Sequence, residues 1–319
     1  MGTRALLLSF WLISSDLHAQ VETTLYMLDV TNNRLLKSNA DGSSLTALIA
    51  GAPLNAPHGI AVDPINAHVY LVNTNTDEIY RTDLDGNNLV VLVNSGLNDP
   101  IGIELDVAGG YFYVSDRGAN KIIRHDLNGG NATDALTISL NWPHNFALDL
   151  TANKFFVASR TAGEVLSADI TGNTGIAVIA NGLGQPYGVA LDRAANHVYF
   201  SEFASGNITR TALNGTGQTV IVAGLNGPTG LRLDVANGHL YFTEWGGQKV
   251  RRVDVDGTNL TDILVAGDGL GQMIDLEIYT PNSSEASETT TRYIPFRSEI
   301  PLLLLLALTG LWLIRSPRK

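Results

Sequence analysis

A seven-residue phrase returns along this chain at a nearly fixed interval, and that interval constrains the fold more than any other feature. It reads PHGIAVD at 57–63, PIGIELD at 100–106, PHNFALD at 143–149, PYGVALD at 186–192 and PTGLRLD at 228–234. Its prolines are 43 residues apart three times and 42 residues apart once. One more step of 43 from Pro228 reaches GQMIDLE at 271–277, which reads as a degenerate sixth copy. Self-similarity at such a period marks one supersecondary unit stacked on copies of itself.

Each unit has the same interior. A second apolar run follows the phrase, as in HVYLVN at 68–73 and HLYFTE at 239–244. A third run alternates, as in EIYRTD at 78–83. A tight turn comes next, at Asp41 and Gly42, Asp85 and Gly86, Asn128 and Gly129, Thr171 and Gly172, Asn214 and Gly215, and Asp256 and Gly257. Such pairs supply the positive φ that a two-residue hairpin requires. A short aliphatic run closes the unit. Four short strands per 40–45 residues, repeated, predict an all-β, six-bladed β-propeller of four-stranded blades. Residues 25–49 hold the second, third and fourth runs of a blade but not the first. The missing inner strand is therefore expected from residues 272–278, so that both ends of the body share one blade and no edge is left open.

Composition excludes several classes. The chain has no cysteine, so disulfides, thiolate metal sites and a cysteine nucleophile are ruled out. A formal net charge of −11 argues against nucleic-acid binding, which needs a basic stripe. The repeated Asp63, Asp106, Asp149, Asp192 and Asp234 stand in register, and we read them as structural acceptors of backbone N–H groups.

The second runs at 240–245 (LYFTEW), 198–202 (VYFSE) and 112–116 (FYVSD) resemble the YWTD motif of LDL-receptor class B repeats, and the resemblance covers about residues 25–279. It implies a propeller that binds protein ligands on one face. The fold is also shared with NHL repeats and with gluconolactonase-type calcium hydrolases, so fold alone does not fix function.

The two ends read as targeting segments. Arg4 followed by an apolar stretch at 5–13 and a polar one ending at Ala19 predicts a signal peptide over 1–19, ahead of a body over 20–280. Residues 281–298 form a Ser/Thr/Glu-rich linker. Residues 299–319 carry a strongly apolar run at 300–314 before RSPRK, which predicts a C-terminal membrane helix with its basic end in the cytoplasm. The layout of YIPF at 293–296, an apolar stretch and a basic end resembles PEP-CTERM and IPTL-CTERM sorting tails, which implies a bacterial envelope protein. The body is expected outside the cytoplasm, periplasmic or at the cell surface.

Function is expected where the repeat is broken. In a propeller the loops leading into the inner strands and those after the second strands share one face. The residues after the inner prolines are His58, Ile101, His144, Tyr187 and Thr229, with Gln272 in the degenerate copy, and the next ring is glycine except for Asn145 and Met273. Neither ring contains a carboxylate on this reading. The ligand-binding candidates are His58, Arg117, Trp142, His144, Asn145, Arg160, Tyr187, Phe203 and Trp245, because aromatic and arginine side chains dominate recognition surfaces. We expect a non-enzymatic binding or scaffold module for a protein or other envelope ligand, with no catalytic residue, resident metal or cofactor. The alternative is a gluconolactonase- or lyase-like enzyme using a channel metal: Asn145 would be a ligand in the calcium hydrolase, and His58 and His144 in the lyase.

Overall fold

The computed structural model describes residues 23–138 and 140–281. The predicted signal, the predicted membrane segment and the predicted linker beyond Pro281 lie outside the described residues. The body is a six-bladed β-propeller: six sheets, each of four antiparallel strands in meander order. We number blades in chain order, and call the side on which the inner strands begin the upper face. The inner strands of blades two to six are Pro57–Asp63, Pro100–Asp106, Pro143–Asp149, Pro186–Asp192 and Pro228–Asp234. Five of every six residues in the second strands are buried, because each is covered on both faces by neighbouring blades. Exposure rises in the outermost strands, which leave Val90, Val178 and Val220 facing solvent.

The shared blade forms as the repeat arithmetic requires. Blade one runs in the order Met273–Tyr279, Thr24–Asp29, Arg34–Asn39, Thr46–Ala50. The six hairpin glycines all have positive φ. Asp63 accepts backbone N–H bonds from Ile65 and Asn66, and Asp106, Asp149, Asp192 and Asp234 each accept one from the following turn. These carboxylates are fold elements.

One expectation is overturned. The sixth copy of the phrase is not 271–277 but Met273–Tyr279, two residues later. Asp29 pairs with Met273 as Asn73 pairs with Pro57, so Met273 holds the proline position. The connection over 265–272 contains an extra turn, Ala266–Asp268, and is longer than its counterpart over 223–227. Ile274 then stands with His58, and Asp275 stands in the glycine ring. The channel therefore does contain a carboxylate.

Candidate functional site

The upper mouth is built from residues at the start of the inner strands and just after the second strands. The inner strand of blade four has a register break between Pro143 and Phe146, so the strict alternation of faces is lost at His144 and Asn145. Both are almost fully buried, at 1% and 2% exposure.

His144 Nε2 accepts a bond from Arg160 Nη1 at 3.2 Å, which places the ring proton on Nδ1. That Nδ1–H is buried and has no partner. The Tyr187 ring lies against His144 at 4.2 Å between centroids. Burial, reinforced by Arg160 and Arg117, holds the His144 pKa well below its usual range, so the ring is neutral. His58 has the same tautomer. Its Nδ1–H donates to Ala56 O at 2.9 Å, and burial pushes its pKa down as well.

The two arginines differ in partners. Arg117 makes a bidentate pair with Asp99, both bonds at 2.6 Å, and lays its guanidinium over Trp142 at 5.1 Å. Arg160 bonds the Gln185 side-chain oxygen at 2.9 Å and faces the rings of Phe203 and Tyr187 at 5.3 and 6.0 Å. Among the described residues no carboxylate pairs with Arg160. Burial and the neighbouring Arg117 push its pKa down. Trp142 is 49% exposed and has a φ of 65°, a left-handed conformation that costs a bulky residue free energy. Trp245 packs against the core cluster that contains Tyr187 and Ile274.

Directly below this mouth a side-chain hydrogen bond crosses the channel. Asn145 Nδ2 donates to Asp275 Oδ2 at 3.0 Å, joining blade four to blade one on opposite sides of the ring. Asn145 Oδ1 is buried without a partner. The other ring members must be glycine for steric reasons: a Cβ at Gly230 would collide with Asp275, and one at Gly102 would crowd Asn145.

Two residues further along the inner strands lies a charged layer that the sequence reading passed over. Arg232 Nε donates to Glu277 at 2.8 Å, and its Nη2 lies 3.4 Å from Glu104 and 3.9 Å from Asp275. Nη2 also donates to Ile60 O at 3.2 Å. Burial raises the Glu104 carboxyl to about 8 and that of Asp275 to about 6, with Arg232 opposing both shifts. The signal for this layer was present in the phrase itself: Glu104 and Arg232 stand where blades two, four and five have Ala61, Ala147 and Ala190.

The structure thus brings Arg117 to Trp142 and Arg160 to His144, Tyr187 and Phe203, with His58 feeling the charges of both arginines. Asn145 lies below them and Trp245 stands behind Tyr187 in the same core cluster. Among the described residues no three His, Cys, Asp or Glu side chains gather to hold a metal ion. The lone pair of His144 that a metal would need is already taken by Arg160.

Fold and mouth together define a six-bladed propeller with an aromatic and cationic upper opening. No protein-family model matches the chain, and no curated protein matches it. Among solved structures it is similar to one in a nidogen/laminin complex, with 17% identity over 82% of this chain and 100% of that one and a TM-score of 0.73. It is also similar to virginiamycin B lyase from Staphylococcus aureus, with 16% identity over 75% of this chain and 80% of that one and a TM-score of 0.57. At these identities the likeness is one of fold. No helix among the described residues is long and apolar enough to cross a membrane.

Proposed function

We propose that the protein is an exported binding propeller, tethered or sorted through its C-terminal apolar segment, whose upper mouth captures an acidic group of a protein or other envelope ligand. The observation that carries this reading is Arg160. A half-buried guanidinium held by one amide oxygen, one imidazole nitrogen and two aromatic faces has lost water without gaining a counter-charge. A ligand carboxylate supplies that charge in the bidentate geometry arginine favours. The exposed Trp142 and its stacked Arg117 extend the surface on one side. A fold shared with a chain from a nidogen/laminin complex agrees with a protein ligand. The metal-using hydrolase or lyase has less support, because among the described residues no group of three His, Asp or Glu side chains completes a ligand set with His58.

The test is retention of a partner from the host envelope by wild type and by Arg160→Met, which keeps the aliphatic stem. We expect at least a tenfold loss of retention, about 1.4 kcal/mol or more, with melting unchanged. Excess acidic peptide should compete with the wild-type interaction. Equal retention by both proteins would refute the assignment of the upper mouth.

A further inference from the structure

Arg117 and Arg160 hold the same position in adjacent blades, and each serves as a control for the other. Each follows the second strand of its blade, and its backbone N–H donates to the residue before the inner proline: Arg117 N to Asp99 O at 3.2 Å, Arg160 N to Trp142 O at 3.1 Å. That facing residue has the same left-handed backbone in both blades, with φ of 62° at Asp99 and 65° at Trp142. The backbones are equivalent and the side chains are not. Blade three places a carboxylate beside its arginine, and both Asp99 oxygens engage Arg117. Blade four places an indole there, and Arg160 turns instead to the Gln185 amide oxygen and the His144 imidazole. The Arg117 and Asp99 side chains are 18% and 34% exposed, so the pair is reachable from the mouth.

This asymmetry fixes the charge of the mouth. The charges that His58 feels there are those of Arg117, Asp99 and Arg160. Burial keeps His58 and His144 themselves neutral. Asp275, deeper in the channel, is answered by Arg232. Asp99 cancels Arg117, so one uncompensated positive charge remains, on Arg160. Gln185 takes the Nε–H and one N–H of Nη2, and His144 takes one N–H of Nη1. One donor is left on each Nη. Two donors on neighbouring nitrogens suit the two oxygens of one carboxylate. A phosphomonoester brings about −1.5 to −2 charges at pH 7. Its second charge would enter a half-desolvated mouth beside Asp99, with no cation free to meet it.

Building on the reading of the upper mouth as an acid-binding site, we propose that Asp99 sets its specificity: by occupying Arg117 it fits the mouth to the singly charged carboxylate of an acidic peptide side chain and excludes phosphorylated ligands.

The experiment uses the full-length protein in a nonionic detergent and three capped pentapeptides, with a central glutamate, glutamine or phosphoserine between two phenylalanines. The phenylalanines are offered to the Phe203 and Trp142 rings. Binding is read from the NMR shifts of arginine Nε–H groups. Wild type should bind the glutamate peptide at least tenfold more tightly than either of the others. Asp99→Asn keeps an acceptor beside Arg117 but frees its charge, and should reverse the order of glutamate and phosphoserine. Asp99→Ser repeats the test in case the amide is not accommodated. Adding Arg117→Met to Asp99→Asn returns the mouth to one positive charge and should restore the glutamate preference, which mere loosening of the loop does not do. Equal binding of the glutamate and glutamine peptides by wild type would refute acid binding at the mouth, and this proposal with it. A wild type that prefers glutamate to glutamine but binds phosphoserine as tightly, or an Asp99→Asn protein that keeps the wild-type order, would overturn the specificity role alone.

Discussion

The two mouths of the channel are built by the same six inner strands, yet their charges are handled in opposite ways. At the upper mouth no carboxylate among the described residues pairs with Arg160, and a neutral His144 sits beside it with an unpartnered N–H. At the lower layer Arg232 is met by Glu277, Glu104 and Asp275 and by a backbone carbonyl. Between them the Asn145–Asp275 bond spans the channel. The difference separates two uses of a buried polar group. Where the chain supplies every partner, the group holds the ring together. Where it leaves one out, the group is available to a ligand. Glu277 and Asp275 both lie on Met273–Tyr279, the strand that closes the ring, so the saturated layer ties the last strand to blades four and six.

The comparison breaks most sharply at Arg232. Arg232→Met removes the one cation among three carboxylates and leaves them facing one another in a low-dielectric channel. Removal of one partner from a buried charge cluster costs about 3–5 kcal/mol. Denaturant unfolding should show a loss of that size. The double variant Arg232→Met with Glu277→Gln should recover part of it, because fewer charges are then stranded. A single variant as stable as wild type would mean that the lower layer does not hold the closing strand.

How far this arrangement is legible in the sequence depends on what each position has to do. Every blade packs against two others, so its second strand and its hairpin turn must use the same residues each time, and the ring of six follows from their period. The closing strand must only pair with residues 24–29. It keeps neither Pro, Gly nor Asp at the phrase positions, where Met273, Asp275 and Tyr279 stand instead. The longer connection over 265–272 then shifts its register by two, which hid Asp275. Glu104 and Arg232 were visible as charges among alanines. Their meaning depends on the facing of the strand, and the register break near each inner proline obscures that facing. Trp142, Arg117, Phe203 and Arg160 stood out as irregular members of two loop positions. Which arginine had a counter-ion was not readable, because Asp99 and Arg117 lie 18 residues apart and meet only through the fold.

Protons act on the two mouths in opposite directions, which sharpens the contrast. Glu104 is raised in the fold from an ordinary 4.5 to about 8, and Asp275 from 3.8 to about 6. The folded state thus binds protons more tightly than the unfolded chain. Their contribution is fully present below the ordinary carboxylate values and is lost as pH rises toward 8. His144 is shifted down, so its contribution is present above about 6.5 and is lost as pH falls. Unfolding free energy should therefore be greatest near mildly acidic pH and fall on both sides. Glu104→Gln should flatten the alkaline limb, which we expect to span on the order of 2 kcal/mol. His144→Gln should flatten the acid limb. A profile in which Glu104→Gln changes only the acid limb would contradict the burial of that carboxyl.

The smallest effect on stability, and the most informative about the upper mouth, belongs to Trp142. Its ring is about half exposed and touches Arg117 through its face, while Asp99 holds Arg117 in place independently. An exposed cation–π contact is worth about 0.5–1 kcal/mol. Against that loss, Trp142→Gly would relax a left-handed φ that a bulky side chain tolerates poorly. The two contributions have opposite sign and similar size, so melting of the glycine variant should stay within about 1 kcal/mol of wild type. Recognition has no such compensation. If the exposed ring is retained at that conformational cost because a partner lies on it, retention of the envelope partner should fall at least tenfold in the same variant. An unchanged interaction with unchanged melting would remove Trp142 from the patch and confine the site to Arg160 and its aromatic neighbours. A melting loss above about 2 kcal/mol would make the ring a packing element, since that is the scale of a cavity rather than of a surface contact.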